Sequence, residues 1–437
     1  MFWLQLSIIL IALCIGARIG GVVMGMVGGM GLAVLVFMFG LAPSSPPVDV
    51  MLIITSVVLA AAVLQAAGGM DYMVSVAEKI LRKNPKHITF VAPLVSYIFT
   101  FMAGTGNVAF AILPVIAEVA RESGVRPERP MSISVIASQQ AITASPISAA
   151  MAALVAMLTP LGFGMGNIML VCVPATLCGI MAGALYAHFH GKELSEDPEY
   201  LRRLAEGLVK PPASRCVVAV TKEAYWSVWL FLAGAVLIVL MGTIPSLRPD
   251  FVVADKVTKM SMTHVIEIVM LVVAGIMVMI CKPKVSTIVT SSVFTAGMTG
   301  VICIYGLAWM GDTLVSAHLP YIKEMAQNYV HQYPWLFAVA LFFVSALVLS
   351  QASTTRLLFP LAIALGIPPA AMIASWPAVN GYFLIPSYAT LVAGVAFDST
   401  GTTKIGKYVF NHSYIIPGFI TSFVSIGVGF AIGYATL

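Results

Sequence analysis

Long apolar runs separated by short polar loops dominate the chain, and about 20 consecutive apolar residues suffice to cross hydrocarbon. The pattern predicts full spans near residues 2–16, 20–41, 49–68, 131–157, 166–189, 225–243, 262–281, 286–310, 369–396 and 413–436. Two further apolar runs are interrupted. Residues 88–120 carry Gly104-Thr105-Gly106-Asn107, and residues 335–365 carry Gln351-Ala352-Ser353-Thr354-Thr355-Arg356. Polar groups at bilayer depth persist only where they are buried in protein or line a cavity. Each interrupted run is therefore expected to fold back as a re-entrant hairpin, entering and leaving on one side. Spans 131–157 and 369–396 are expected to be broken in the middle. The first contains Gln140 and Ser145-Pro146-Ile147-Ser148, the second Asn380 and Pro386-Ser387, and a mid-span proline removes a helix hydrogen bond.

Composition fixes the class. The 437 residues are 60% hydrophobic and 9% charged, against about 25% charged in soluble domains. With a mean hydropathy of +0.99, the chain is expected to be an all-α polytopic membrane protein. The span at the N-terminus has no basic segment before it and reads as retained, not as a cleaved leader. Six scattered cysteines without a C-x-x-C pair read as free thiols, with no disulfide or metal framework. The basic residues lie in loops between spans, which gives no nucleic-acid surface.

Most of the 23 Lys and Arg fall in one set of loops. These are Arg18, the Lys79–Lys86 and Arg121–Arg129 groups, the Lys192–Lys222 group, Lys282, Lys284, Lys404 and Lys407. Arg248, Lys256, Lys259 and Lys323 lie on the other side. Basic loops face the cytoplasm, so both termini are expected outside. The charged stretch 191–223 then reads as a cytoplasmic linker between residues 1–190 and 224–437. Landmarks recur across it in order. Met70-Asp71 matches Gly311-Asp312, Asn84-Pro85 matches Tyr333-Pro334, Thr105 matches Thr354, and Leu113-Pro114 matches Phe359-Pro360. Gln140 followed by Pro146 matches Asn380 followed by Pro386. Five spans per half would insert the second half upside down. The expected architecture is two inverted repeats, ten spans and two hairpins. The first hairpin enters from the cytoplasm and the second from outside, and their tips meet near the midplane, where secondary transporters bind their cargo.

The chemistry expected there is anion binding by neutral groups. Thr105, Gly106 and Asn107 precede a helix beginning at Val108, whose N-terminal N–H groups and dipole suit a carboxylate. Gln140, Ser145 and Ser148 add donors at the first break. Ser353, Thr354 and Thr355 do so at the second tip, and Asn380 and Ser387 at the second break. The alternative for each is a helix cap or a hydroxyl bonded to its own backbone. Arg356 can offer a guanidinium fork to a carboxylate, or else snorkel or pair with an acid. Four clusters from two halves suit a small dianion. Glu78 and Arg82 share a helix face and lie near Arg126 in sequence character. They read either as a surface salt bridge or as a basic vestibule and inner gate. Glu267 reads as a proton carrier or a snorkelled surface group, and Asp398-Ser399-Thr400-Gly401 as a helix exit and cap. No nucleophile–base pair or phosphate-binding loop is present, so no cofactor or ATP is expected.

Specific runs carry a resemblance. Gly-Ala-Arg-Ile-Gly-Gly (16–21), Gly-Gly-Met-Asp (68–71), Ala-Glu-Lys-Ile-Leu-Arg-Lys-Asn-Pro (77–85), Ala-Gly-Thr-Gly-Asn (103–107), Arg-Pro-Glu-Arg-Pro-Met (126–131), Ile-Thr-Ala-Ser-Pro-Ile-Ser (142–148) and Gly-Thr-Thr-Lys-Ile-Gly (401–406) resemble the Dcu family. That family comprises anaerobic four-carbon dicarboxylate transporters of bacterial inner membranes. The resemblance runs from end to end. It implies antiport of fumarate, malate or aspartate against succinate by alternating access, during fumarate respiration. It also implies a scaffold with a moving transport domain, a role for Glu78, Arg82 and Arg126, and a sensor-kinase partner of the kind some members have. An apolar scaffold face suggests a homodimer. A sodium- or proton-coupled dicarboxylate symporter is the alternative within transport. An anion channel or an intramembrane enzyme is the alternative outside it.

Overall fold

The computed structural model describes residues 1–19, 22–106, 108–209, 221–253, 256–330, 333–384, 388–405 and 411–437. Almost all of them are helical. The first stretch forms α1 (Phe2–Ile19), α2 (Val23–Ala33, continued by a π turn over Val34–Met38) and α3 (Val48–Ala66). Gly68, at φ 81°, ends that run, and the amphipathic α4 (Gly69–Lys83) leaves α3 at 71°. Next come α5 (Ile88–Ala103) and α6 (Val108–Glu122), then α7 (Glu128–Ala144), α8 (Ala149–Leu158) and α9 (Met165–Phe189). The linker holds a short helix, α10 (Pro198–Ala205), capped by the Asp197 carboxylate.

The second stretch begins with α11 (Lys222–Thr243), whose N-terminus is capped by Thr221, and a two-stranded antiparallel ribbon, β1 (Asp250–Val253) and β2 (Lys256–Lys259). It continues through α12 (Met262–Cys281), α13 (Val285–Val289) and α14 (Ser292–Val330). Then follow α15 (Leu336–Val348), α16 (Gln351–Ala364), α17 (Pro369–Ser375), a 3-10 segment over Trp376–Phe383, α18 (Ala389–Phe397) and α19 (Ile415–Thr436).

Seven helices among the described residues are long and apolar enough to cross a membrane, or eight if α3 and α4 form one bent span. This makes the chain a multi-pass membrane protein. Six of the seven coincide with expected spans, and the seventh, Pro85–Ala103, is the first arm of the expected hairpin 88–120. The first two expected spans form shorter apolar helices, Phe2–Ala12 and Val23–Met38. The expected span 369–396 is divided into α17, a 3-10 segment and α18. Two other expectations are corrected. Gly311-Asp312 does not close the eighth span, because α14 runs through it and bends only at His318 (φ −114°, ψ 15°). Pro320, two residues on, removes the backbone donor that would hold that turn straight. The all-α reading omits the β1–β2 ribbon, held at its open end by a Lys259–Asp250 ion pair of 2.8 Å.

Small residues set how closely the helices approach, as expected where lipid removes the hydrophobic drive between helices. On α2, Gly25 lies against the Ile302 carbonyl of α14 and Gly28 against Gly306. On α9, Gly179 and Gly183 lie against Ser425 and Thr421 of α19. One large buried cluster joins α3 to α9 with α11 to α19, and a smaller one joins α1 and α2 with a second face of α14 and the end of α15. A Cβ at residue 25 would stand 2.2 Å from the Ile302 oxygen, whereas one at Gly29 meets nothing within 4 Å. Gly25→Ala is therefore expected to destabilise by ~1–3 kcal/mol through overpacking, and Gly29→Ala to be neutral or slightly stabilising. Thermal unfolding of both variants in detergent checks this pair.

Candidate ligand cavity between two helix turns

The first turn links α5 to α6. Gly104 caps α5 in the left-handed conformation (φ 67°), with its N–H on the Thr100 carbonyl at 2.8 Å. A side chain there would be strained, and its Cβ would sit 2.9 Å from the Ile147 carbonyl oxygen. The turn thus packs directly on the break between α7 and α8. In that break Ser145 is extended (ψ 126°), and Ser148 caps α8 by accepting the Met151 N–H at 3.0 Å. Ser145 Oγ donates to the Phe101 carbonyl at 2.7 Å and fastens the break to the end of α5.

The second turn links α15 to α16 at Leu349-Ser350, earlier than the expected tip at Ser353–Thr355. Leu349 is left-handed (φ 54°) without being glycine. Ser350 Oγ caps α16 by accepting the Ser353 N–H at 3.2 Å. The signal was available in the sequence: Ser350 is the first polar residue after the apolar run, the position an N-cap prefers.

A cavity of about 210 Å³ opens where these elements meet. Gly104, Thr105 and Gly106 line it from the first turn, and Ser350, Gln351 and Ala352 from the second. Ile142, Ala149 and Ala150 come from the flanks of the first break, and Tyr388, Ala389 and Thr390 from the start of α18. α3 and α14 form an apolar wall through Val57, Val58 and Gly297. The volume lies below the ~300 Å³ at which drug-sized sites begin, so the cavity suits a small ligand.

Behind the cavity runs a buried amide network. The Gln351 side-chain N–H groups donate to Gln139 Oε1 and Asn380 Oδ1, both at 3.0 Å. Asn380 Nδ2 donates to Gln140 Oε1 and to the Pro377 carbonyl, both at 3.1 Å. Gln139 Nε2 reaches Thr390 Oγ1 at 3.4 Å. Gln140 Nε2 is buried with no partner.

The expected site residues therefore fall into groups. Thr105 and Gly106 line the cavity. Gln140 and Asn380 belong to the network behind it. Ser145 and Ser148 are fully buried and hold the first break together. Ser353, Thr354 and Thr355 lie in the first turns of α16. Thr354 donates to the Ser350 carbonyl at 2.8 Å, and Thr355 Oγ1 accepts the Trp376 indole N–H at 2.9 Å, while Ser353 Oγ is buried without a partner. Arg356 lies on α16 beyond them. Asn107 and Ser387 lie outside the described residues. Sequence reasoning gave too little weight to Gln139, Gln351, Ser350 and Thr390. They occupy the same polar stretches, but only the fold selects the ones that face the cavity or the network.

The charged residues form a separate layer. Arg82 bonds Glu78 and Glu122 at 2.7 Å each and approaches Glu118 at 3.5 Å, tying α4 to α6. Arg126 pairs with Glu128 at 2.7 Å and with Asp197, so the buried start of α7 is tied to the linker. Neither guanidinium presents uncompensated charge. Outside the spans, burial pushes the His412 imidazole down to about 4, and Arg202 and then Arg203 hold the Glu199 carboxylate down to about 2. The Asp398 carboxylate caps its own loop, accepting from the Thr400 and Thr403 N–H groups at 2.9 and 2.7 Å. Among the described residues no three His, Cys, Asp or Glu converge as a metal site.

Comparison with known proteins adds four findings. The family profile DcuA_DcuB, described as anaerobic C4-dicarboxylate membrane transporter, matches residues 1–437. The C4-dicarboxylate transporter DcuA of Wolinella succinogenes is 44% identical over 428 residues, 98% of each chain. Its counterpart in Escherichia coli is 44% identical over 434 residues, 99% of each. The crystal structure of the Alcanivorax borkumensis YdaH transporter superposes with a TM-score of 0.57 over 92% of this chain and 87% of that one. At 14% identity that likeness concerns the fold alone.

If the amides act as one unit, Gln351→Ala and Asn380→Ala should each lower thermal stability. The double variant should then fall short of the sum by ~0.5–3 kcal/mol. Strictly additive losses in a double-mutant cycle show that the bonds are independent.

Proposed function

This chain belongs to the DcuA_DcuB family of anaerobic four-carbon dicarboxylate membrane transporters, and we propose that it exchanges such dicarboxylates across a bacterial inner membrane. Fumarate, malate or aspartate enters as succinate leaves, by alternating access. One observation carries the reading: a single small cavity is bordered by the starts of α6 and α16 and by both broken elements. The first N–H groups of a helix lack intrahelical partners and favour anions. Two such starts on one cavity suit a ligand with a carboxylate at each end. Hydroxyl and amide donors, not full charges, surround it, which holds a dianion while still permitting release.

Within this reading, α5–α6 and α15–α16 are re-entrant hairpins that approach from opposite faces. α5 with the 3-10 turn before it, Pro85–Ala103, is itself long and apolar enough to cross, so the support comes from the other three arms. α6, α15 and α16 have 15, 13 and 14 residues and fall short of the ~30 Å hydrocarbon core at about 1.5 Å per residue. Residues 1–190 and 224–437 are then inverted repeats joined by the linker 191–223. The two turns meeting at one cavity favour that arrangement. Thr105, the backbone at Gly106 and Ser350 hold the cargo with the N–H groups at the start of α16, while the amide network, which includes Gln351, sets their positions.

Reconstitution into liposomes tests the function. Internal succinate should drive uptake of labelled fumarate with no ion gradient imposed. Uptake that appears only with a sodium or proton gradient would instead make the protein a coupled symporter. Thr105→Ala should raise the half-saturation concentration about ten- to hundredfold, the loss of one hydrogen bond to a charged group. An unchanged value removes Thr105 from the site.

A further inference from the structure

Besides Glu267 near the start of α12, two charges of opposite sign stand alone in the apolar runs of the second half. Asp312 is the only Asp, Glu, Lys or Arg between Lys284 and Lys323, and Arg356 is the only one between Glu324 and Asp398. A lone charge at membrane depth costs ~2.5–3.5 kcal/mol even on insertion scales, and such residues pair with one another or mark a transport path. Although 44 positions separate them in sequence, the fold brings them together. α14 packs on α16. The absent side chain of Gly311 admits Leu357, whose Cδ1 would be 2.2 Å from a Cβ placed there. Asp312 and Arg356 are the residues next to that crossing on each helix, though Asp312 Oδ1 and Arg356 Nε are not hydrogen-bonded to one another.

The pair is nevertheless incomplete. Asp312 Oδ1 and Arg356 Nε are both buried without a hydrogen-bond partner, and so is Ser353 Oγ, three residues before Arg356 on the same face of α16. Leaving such groups unmade is costly, so another arrangement that satisfies them is expected. The cavity supplies one. Ala352 lines it and lies four residues before Arg356, hence on the same face. A helical side chain leans toward its own N-terminus, which aims the long Arg356 side chain along α16 toward the cavity.

We propose that Arg356 is a shared cation, steadied by the nearby Asp312 charge without a closed ion pair while the cavity is empty, and drawn to a carboxylate of the cargo when it is filled. Asp312 is then a competing anion. It compensates Arg356 between turnovers and draws the guanidinium back as the cargo leaves, which keeps affinity moderate and release fast. Ser353 lies along the path and can accept from the guanidinium in transit. The inference rests on the dicarboxylate-exchange reading and assigns Asp312 a part in it without contact to the cargo.

Fumarate–succinate counterflow in proteoliposomes, read as half-saturation concentration and maximal rate, tests it. Asp312→Asn should lower the half-saturation concentration at least about threefold and slow maximal exchange, because the competitor is gone. Arg356→Gln should raise it about tenfold, the loss of one charge-assisted contact. The double variant should match Arg356→Gln in affinity, since Asp312 acts only through Arg356. An unchanged half-saturation in Asp312→Asn, or additive effects in the double variant, overturns the proposal. Half-saturation does not depend on how much protein folds. Should Asp312→Asn yield none, Asp312→Glu, which extends the carboxylate toward Arg356, should raise the half-saturation concentration, and an unchanged value overturns the proposal equally. If the unaltered protein shows no counterflow, the exchange reading itself has failed.

Discussion

Polar groups at the centre of this protein must find partners without water, and that requirement shapes the rest. Five side chains meet it together. Gln139 and Gln140 come from α7, Gln351 from the start of α16, Asn380 from the 3-10 segment and Thr390 from α18. Each of these elements is interrupted or begins close to the network, because unpaired backbone is tolerated only where other protein groups can meet it. The bonds run between residues more than 200 positions apart, so neither half can complete the centre alone. A cavity bounded by both halves is the geometric result.

The two turns reach similar shapes by unlike means. Gly104 adopts the left-handed conformation at little cost, and its bare Cα allows contact with Ile147. Leu349 adopts nearly the same conformation with a side chain, at a cost of roughly 1–2 kcal/mol. Such strain persists only where surrounding packing fixes it. Here α15 and the 3-10 segment provide that packing: the Gly381 N–H donates to Ser345 Oγ at 2.9 Å, and Gly381 itself sits against the Phe342 carbonyl. The second turn is thus braced by its neighbours, whereas the first relies on glycine.

Charge is kept away from the cavity walls. Arg82 and Arg126 are enclosed by carboxylates at the ends of α4 and α7, where they join α6 and the linker to the helices beside them. Helix starts, amides and hydroxyls face the cavity instead. Neutral donors bind an anion with less desolvation than a buried ion pair requires, which suits the exchange proposed for this cavity. Arg356 is the exception, one face-length along α16 and opposite Asp312.

The sequence by itself determined the membrane class, the positions of the polar interruptions and the break at Pro146. Each follows from local rules: apolar run length, the intolerance of lipid for bare polar groups, and the missing proline N–H. It also carried the family: runs such as Ala103–Asn107 and Ile142–Ser148 gave the resemblance, and the family profile matches residues 1–437. Only the tertiary structure decided which polar residues act together. Ser145 and Gln140 look alike as candidates in a polar stretch, yet one closes on the Phe101 carbonyl and the other joins Asn380 across the two halves. The second turn fell at Ser350 and not at Thr354 because a cap competes locally with every nearby hydroxyl, and packing selects one. The pairing of α14 with α16 at Gly311 and Leu357 was likewise invisible, because a contact between distant helices leaves no period or spacing along the chain.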